Sequence, residues 1–82
     1  MKLNDAKIRN VKAKLTPQKF FDGGGLYLYV APNGSKLWRL SYRFDGKQKT
    51  LSFGPYPLLN LREAREKRDE AKKLLLDGID PM

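Results

Sequence analysis

Apolar and polar residues alternate without a break on both sides of Asp45-Gly46, and Asp-Gly between alternating runs signals a two-residue type I′ hairpin. Closing that hairpin pairs Phe44 with Lys47, Arg43 with Gln48, Tyr42 with Lys49, Ser41 with Thr50 and Leu40 with Leu51. One face then carries Trp38, Leu40, Tyr42, Leu51 and Phe53, and the other carries Arg39, Ser41, Arg43, Gln48, Thr50 and Ser52, because side chains alternate across a strand. The first set is a core; the second is a wet plateau of arginines and short hydrogen-bonding groups.

A second hairpin agrees with the first. Leu26 to Val30 alternates, and Ala31-Pro32-Asn33-Gly34-Ser35 reads as a turn. With Val30 opposite Lys36, Leu28 falls opposite Trp38 and Leu26 opposite Leu40, so both hairpins bury the same face. A slip of one residue in either register would scatter apolar groups onto both faces. Tyr27 then lies beside Arg39 on the plateau, with Tyr29 on the same side.

The flanks supply helices. Asn4 caps a short N-terminal helix that ends near Asn10 or Val11, with Asp5 in its first turn and Leu3 placed to staple onto Ile8. After Pro17, Phe20-Phe21-Asp22 forms at most a brief extended segment before Gly23-Gly24-Gly25. Gly54-Pro55-Tyr56-Pro57 ends the last strand. Asn60 and Glu63 make a capping-box pattern, and Leu61, Ala64, Ala71, Leu74 and Leu75 recur at helical spacing up to Asp77. Gly78 is placed as the residue that ends this helix. Its charged residues read as a solvated face with pairs such as Glu63 with Lys67. The expected fold is α+β: a three-stranded antiparallel meander over about 26–30, 36–44 and 47–53, backed by the C-terminal helix, with a short N-terminal helix.

At 82 residues the core is thin, since such small domains bury only roughly 60% of the surface their unfolded chains expose. The chain has neither cysteine nor histidine, which removes disulfides, thiolate metal sites, the commonest metal ligand and the commonest general base. No Ser-His-Asp or Cys-His arrangement can be assembled, so no catalytic, cofactor or metal site is expected. Asp22-Gly23-Gly24-Gly25 is similar to a phosphate-cradling loop but leads into a strand and lacks the Lys-Ser/Thr of a P-loop, so it reads as a turn or bulge. No apolar run approaches a membrane span and the N-terminal residues lack the stretch of a signal peptide, which points to a cytoplasmic protein without a membrane partner.

Charge adds a direction. The net charge is +8, and residues 1–60 hold eleven Lys or Arg against three Asp while the remainder balances six against six. The positive field therefore belongs to the part of the chain that contains the hairpin face and raises the local concentration of a polyanion. The plateau carries no carboxylate, although a merely solubilising face mixes signs. Arg and Gln make bidentate contacts to guanine and adenine edges, and a β-sheet fits the major groove of duplex DNA. Base stacking of single-stranded RNA is the rival; Tyr27 and Tyr29 could supply it, but the middle strands offer Arg, Ser, Gln and Thr instead.

The ordered strings Asp5-Ala6-Lys7-Ile8-Arg9-Asn10, Asp22-Gly23-Gly24-Gly25-Leu26-Tyr27-Leu28, Gly34 to Lys47, Leu51-Ser52-Phe53-Gly54-Pro55-Tyr56-Pro57, Leu61-Arg62-Glu63-Ala64-Arg65 and Asp77 to Pro81 closely resemble the N-terminal domain of prophage and genomic-island integrases of the tyrosine recombinase family. The resemblance implies an arm-type DNA-binding domain over 1–77, its sheet lying in the major groove at sites distant from the crossover point. Residues 78–82 would begin a linker to core-binding and catalytic domains, and the fragment itself would be non-catalytic. Implied partners are duplex DNA at arm-type attachment sites, other integrase protomers or domains, and excisionase or DNA-bending proteins.

From the register, Arg39, Arg43 and Gln48 are the expected base readers. Ser41, Thr50 and Tyr27 are expected to give secondary groove or phosphate contacts, and Lys36, Lys47 and Lys49 to neutralise the DNA backbone from the strand ends. The competing class is a protein-interaction module that docks another integrase protomer or domain.

Overall fold

The computed structural model describes residues 3–82; Lys2, counted above in the basic segment, lies outside the described residues. The chain runs α1 (Asp5–Asn10), β1 (Gln18–Gly23), β2 (Leu26–Val30), β3 (Lys36–Phe44), β4 (Lys47–Pro55) and α2 (Leu61–Leu76). Both hairpins close in the registers that alternation requires. Leu26 faces Leu40, Leu28 faces Trp38 and Val30 faces Lys36, while Leu40 faces Leu51 and each pair from there to the Asp45-Gly46 turn is as expected.

The sheet has four strands rather than three, in the order β1-β2-β3-β4. Phe20-Phe21-Asp22 is the middle of a full strand, with Gln18 opposite Val30, Lys19 opposite Tyr29, Phe20 opposite Leu28 and Phe21 opposite Tyr27. Adjacent phenylalanines hide the alternation, which emerges only in the antiparallel pairing with β2. The ladder slips between Phe21 and Gly23, which faces Leu26. β4 runs on to Pro55 through a bulge: Arg39 faces Ser52 and Trp38 faces Gly54, so Phe53 is the extra residue.

One side of this sheet holds the core. Ile8, Leu26, Leu28, Val30, Trp38 and Leu40 are sealed from solvent, and Leu61, Ala64 and Ala71 bring α2 against them. Trp38 occupies its centre, and its indole N–H donates to the Leu59 carbonyl at 2.8 Å, which fixes the approach to α2. The N-terminus of α2 is a full capping box: Glu63 N–H donates to Asn60 Oδ1 at 2.8 Å and Asn60 N–H to Glu63 Oε1 at 3.1 Å. Glu63 is thus spent on the cap, and the i,i+4 ion pair on this helix is Arg62 with Glu66 at 3.5 Å. Gly78, at φ +74°, closes the other end, where Ile79 N–H reaches the Leu74 carbonyl and Gly78 N–H the Leu75 carbonyl.

A buried carboxylate locks helix to sheet. Asp22 is wholly enclosed, and Arg65 grips it with a two-pronged fork, Nη2 to Oδ1 at 2.8 Å and Nε to Oδ2 at 2.9 Å. Leu3 N–H donates to Oδ1 at 3.0 Å, Arg68 Nη1 approaches Oδ2 at 3.4 Å, and Arg65 Nη2 also reaches the Leu3 carbonyl. The Arg65 hydrogen bonds hold the Asp22 carboxyl below its usual range against the opposing effect of burial, and the same contact raises Arg65. Two arginines of a helix face that reads as solvated are therefore turned inward.

The residues after α2 fold back as well. Asp80 accepts from Tyr42 Oη at 2.6 Å and pairs with Lys49 Nζ, and Pro81 lines a shallow hollow with Leu51, Phe53, Ala71 and Leu74. Hydrogen bonds from Lys49 and Tyr42 pull the Asp80 carboxyl down to about 2, while desolvation and Asp80 push the Tyr42 phenol up to about 12. These contacts hold Asp80 and Pro81, within the stretch expected to begin a linker, against the sheet and α2.

Asp22→Asn should cost about 3–5 kcal/mol in denaturant unfolding, because it leaves Arg65 without its counter-charge. The folded carboxyl titrates lower than the unfolded one, so its contribution is whole above the ordinary carboxylate range and is lost as pH falls through the lowered value. The gap between wild type and Asp22→Asn should accordingly narrow in acid; a gap constant with pH would refute the charged clamp. Trp38→Ala should cost about 3–5 kcal/mol by the same assay, through lost core packing.

Candidate nucleic-acid interface

Among the described residues no helix supplies a buried core to the other side of the sheet, and its strand parity assembles one surface. Phe21, Tyr27, Arg39 and Ser52 form a row across all four strands, with Ser41 and Thr50, then Arg43 and Gln48, as further pairs toward the Asp45-Gly46 turn. Arg43, Gln48, Thr50 and Ser52 are exposed, and Arg39 and Ser41 are half-buried. The plateau strands contribute no carboxylate to this side: Asp22 is turned into the core and Asp45 sits in the turn. The sheet thus presents cations and neutral hydrogen-bonding groups together.

Several side chains are pre-arranged. Gln48 Nε2 donates to Ser41 Oγ diagonally across the hairpin. The Arg39 guanidinium carbon lies 4.2 Å from the centroid of the Tyr29 ring. Ser41 is held from behind, where its N–H donates to the Gly25 carbonyl at 2.8 Å. Gly25 has φ +87°, and a Cβ there would sit 2.2 Å from the Ser41 carbonyl oxygen, so the close approach of the two backbones requires glycine. The Asp22-Gly23-Gly24-Gly25 stretch is accordingly a turn with a bulge, with its carboxylate buried.

Three of the expected contacts sit elsewhere than the plateau surface. Tyr27 is on the plateau side but only 3% exposed, covered by Phe21 at 5.0 Å between ring centroids and by the Lys19 ammonium at 5.4 Å. It is a floor for its neighbours. Lys36 and Lys49 share the parity of Trp38 and Tyr42 and fall on the helix side, Lys36 Nζ donating to the Ile8 carbonyl at 3.0 Å and Lys49 pairing with Asp80. They were expected at strand ends within reach of flanking phosphates, and the structure gives both a partner on the helix side. Lys47 has the same parity but is exposed beside the turn. In their place β1 adds Lys19 and Phe21, both exposed; the signal for them was present once Lys19-Phe20-Phe21 is read as strand.

Among the described residues no cluster of His, Cys, Asp or Glu could hold a metal ion, and no helix is long and apolar enough to cross a membrane. Comparison with known proteins gives a match over residues 3–82 to the family described as Arm DNA-binding domain. The chain belongs to that family. This arm domain is 53% identical over 83 residues to the integrase of Enterobacteria phage P4, covering 99% of the chain and 19% of that relative. It is 49% identical over 76 residues both to the integrase of Shigella phage Sf6 and to the prophage integrase IntS of Escherichia coli K12, covering 93% of the chain and 20% of each. The arm domain thus spans about a fifth of the length of these integrases.

Gly25→Ala tests how the arm domain sets Ser41 in place. The strained φ and the clash with the Ser41 carbonyl should cost more than about 1 kcal/mol. Backbone amide shifts should move at Ser41 and along its row on β3 and β4, whereas shifts confined to Gly25 itself would show that the close approach is not needed.

Proposed function

We propose that this arm domain binds duplex DNA with the sheet plateau in the major groove, at arm-type sites of a phage or genomic-island integrase during site-specific recombination. A sheet face that gathers Arg39, Arg43 and Gln48 without a carboxylate among them supports this reading above any other feature. Strands lie about 4.8 Å apart, so three of them span about 10 Å and match a major groove about 12 Å wide.

Arg39 and Arg43 suit guanine, and Gln48 suits adenine or, through its bond to Ser41, a jointly held donor pair. Ser41 and Thr50 add short contacts, and Lys47 at the turn suits a flanking phosphate. Lys36, held on the helix side by a neutral carbonyl, adds to the long-range field, while the charge of Lys49 is met by Asp80. The 82 residues serve as a non-catalytic binding module, with strand cleavage assigned to the rest of an integrase. Other protomers, excisionase and DNA-bending proteins are partners of that larger assembly.

A duplex enriched by the wild-type domain from a randomised pool, compared with its scrambled version across a salt series, tests the reading. Four or five neutralised phosphates give a slope of log K against log salt near roughly −4. Arg39→Ala and Arg43→Ala should each remove about 1–3 kcal/mol of discrimination while leaving the melting curve intact. Unchanged discrimination in both would remove the site. Self-association without DNA binding would instead favour a protein-docking role.

A further inference from the structure

Arg39 and Arg43 look equivalent in sequence, two residues apart on one strand face, but their surroundings differ. Arg43 is exposed and has no ring beneath it among the described residues. Arg39 is half-buried with its guanidinium 4.2 Å from the centre of the Tyr29 ring, and its Nε is enclosed with no hydrogen-bond partner among the described residues. Burying an N–H without an acceptor is unfavourable, and a side chain with so many rotamers could turn that group out to water. Stacking on Tyr29 opposes that escape, since a guanidinium is drawn to an aromatic face both as a cation and as a flat, weakly hydrated plane.

The stacked geometry also selects which edge of Arg39 is available. An arginine can meet two acceptors side-on, through Nε and one terminal nitrogen, or end-on, through Nη1 and Nη2. With Nε turned inward, the end-on pair remains. Guanine offers two acceptors, O6 and N7, in one plane of the major groove. A guanidinium already held flat loses less freedom on meeting them than a free one, which raises affinity without a new contact.

We propose that Tyr29 is a positioning residue for DNA readout: its ring holds Arg39 so that Nη1 and Nη2 together meet O6 and N7 of a single guanine. The inference rests on the plateau reading above. It makes the two arginines unequal, with Arg39 a preset reader and Arg43 an adaptable one. Tyr29 lies opposite Leu37, so it reaches Arg39 as a diagonal neighbour and need not touch a base itself.

The enriched duplex serves as the probe, with each guanine replaced in turn by 7-deazaguanine, which lacks the N7 acceptor. One replacement should weaken wild type but not Arg39→Ala, and that guanine is the partner of Arg39. Tyr29→Leu should then lower affinity for the intact duplex about five- to tenfold, as expected for a lost stacking contact of this kind, and shrink the penalty at that guanine. Tyr29→Phe, which keeps the ring, should stay within about twofold of wild type. Adding Tyr29→Leu to Arg39→Ala should change nothing further.

Tyr29→Leu binding like wild type, or losing equally on enriched and scrambled duplexes, would overturn the positioning role. If no guanine separates wild type from Arg39→Ala, base reading by Arg39 falls first, a result visible without touching Tyr29. A readout in the unmutated protein guards against a variant that unfolds. The Arg39 side-chain protons should show an upfield ring-current shift that persists in the DNA complex, and its disappearance on binding would likewise overturn the inference.

Discussion

The enclosed carboxylate of Asp22 constrains the rest of the structure. A carboxylate out of water is tolerable only where several donors converge on it, and here they come from two separate parts of the chain: the Leu3 backbone, and Arg65 and Arg68 one turn apart on α2. Sliding or rotating α2 over the sheet would strip those donors away, so the helix has one seat. Asp22 also opens the turn into Gly24, which lies against the Lys72 and Arg68 side chains, and Gly25, which lies against Ser41. The constraint thus runs from the back of the sheet to its front. A helix fixed to one side is what leaves the other side open and its strands in a single register.

The same interactions sort the charge. Of the cations on the helix side, Arg65 and Arg68 meet Asp22, Lys49 meets Asp80, and Lys36 donates to a carbonyl at the end of α1. Among the described residues, Arg39, Arg43 and Lys19 on the plateau side make no ion pair with a carboxylate. A net charge of +8 would mean little if spread evenly, but the fold sets carboxylates against Arg65, Arg68 and Lys49 on the helix side and sets none against the plateau cations among the described residues. The Asp80 clasp, with its carboxyl lowered to about 2 and the Tyr42 phenol raised to about 12, keeps this division across the neutral range.

What the sequence made legible follows the range of the interactions involved. Both hairpin registers, both helix caps and the plateau parity depend on near neighbours and repeating periods, and Trp38, Leu40 and Tyr42 are in the core where alternation puts them. β1 was obscured because Phe20-Phe21 suits neither period and only its pairing with β2 gives it order. The inward turn of Arg65 and Arg68 was hidden since their partner lies more than forty residues away, and a charged helix face looks the same in sequence whether water or a buried carboxylate receives it. Lys36 and Lys49 illustrate the converse: their parity was readable in the sequence, whereas their partners, the Ile8 carbonyl and Asp80, lie about thirty residues away.

The fourth strand bears on how such a plateau can meet DNA. At about 4.8 Å per step, four strands span about 14 Å between outer axes, more than a major groove about 12 Å wide accepts. In the proposed complex one edge strand must therefore ride on the lip. The pairs proposed to face the bases, Arg39–Ser52, Ser41–Thr50 and Arg43–Gln48, all lie between β3 and β4, so in that complex these two strands would go deepest and β1 would be the one left outside. That would bring the Lys19 ammonium to the height of the phosphates and leave Phe21 over Tyr27, beside the stacked pair of Tyr29 and Arg39. The strand hardest to see in the sequence would then serve chiefly to keep water from the edge of the site, where a stacked arginine is most sensitive to its surroundings.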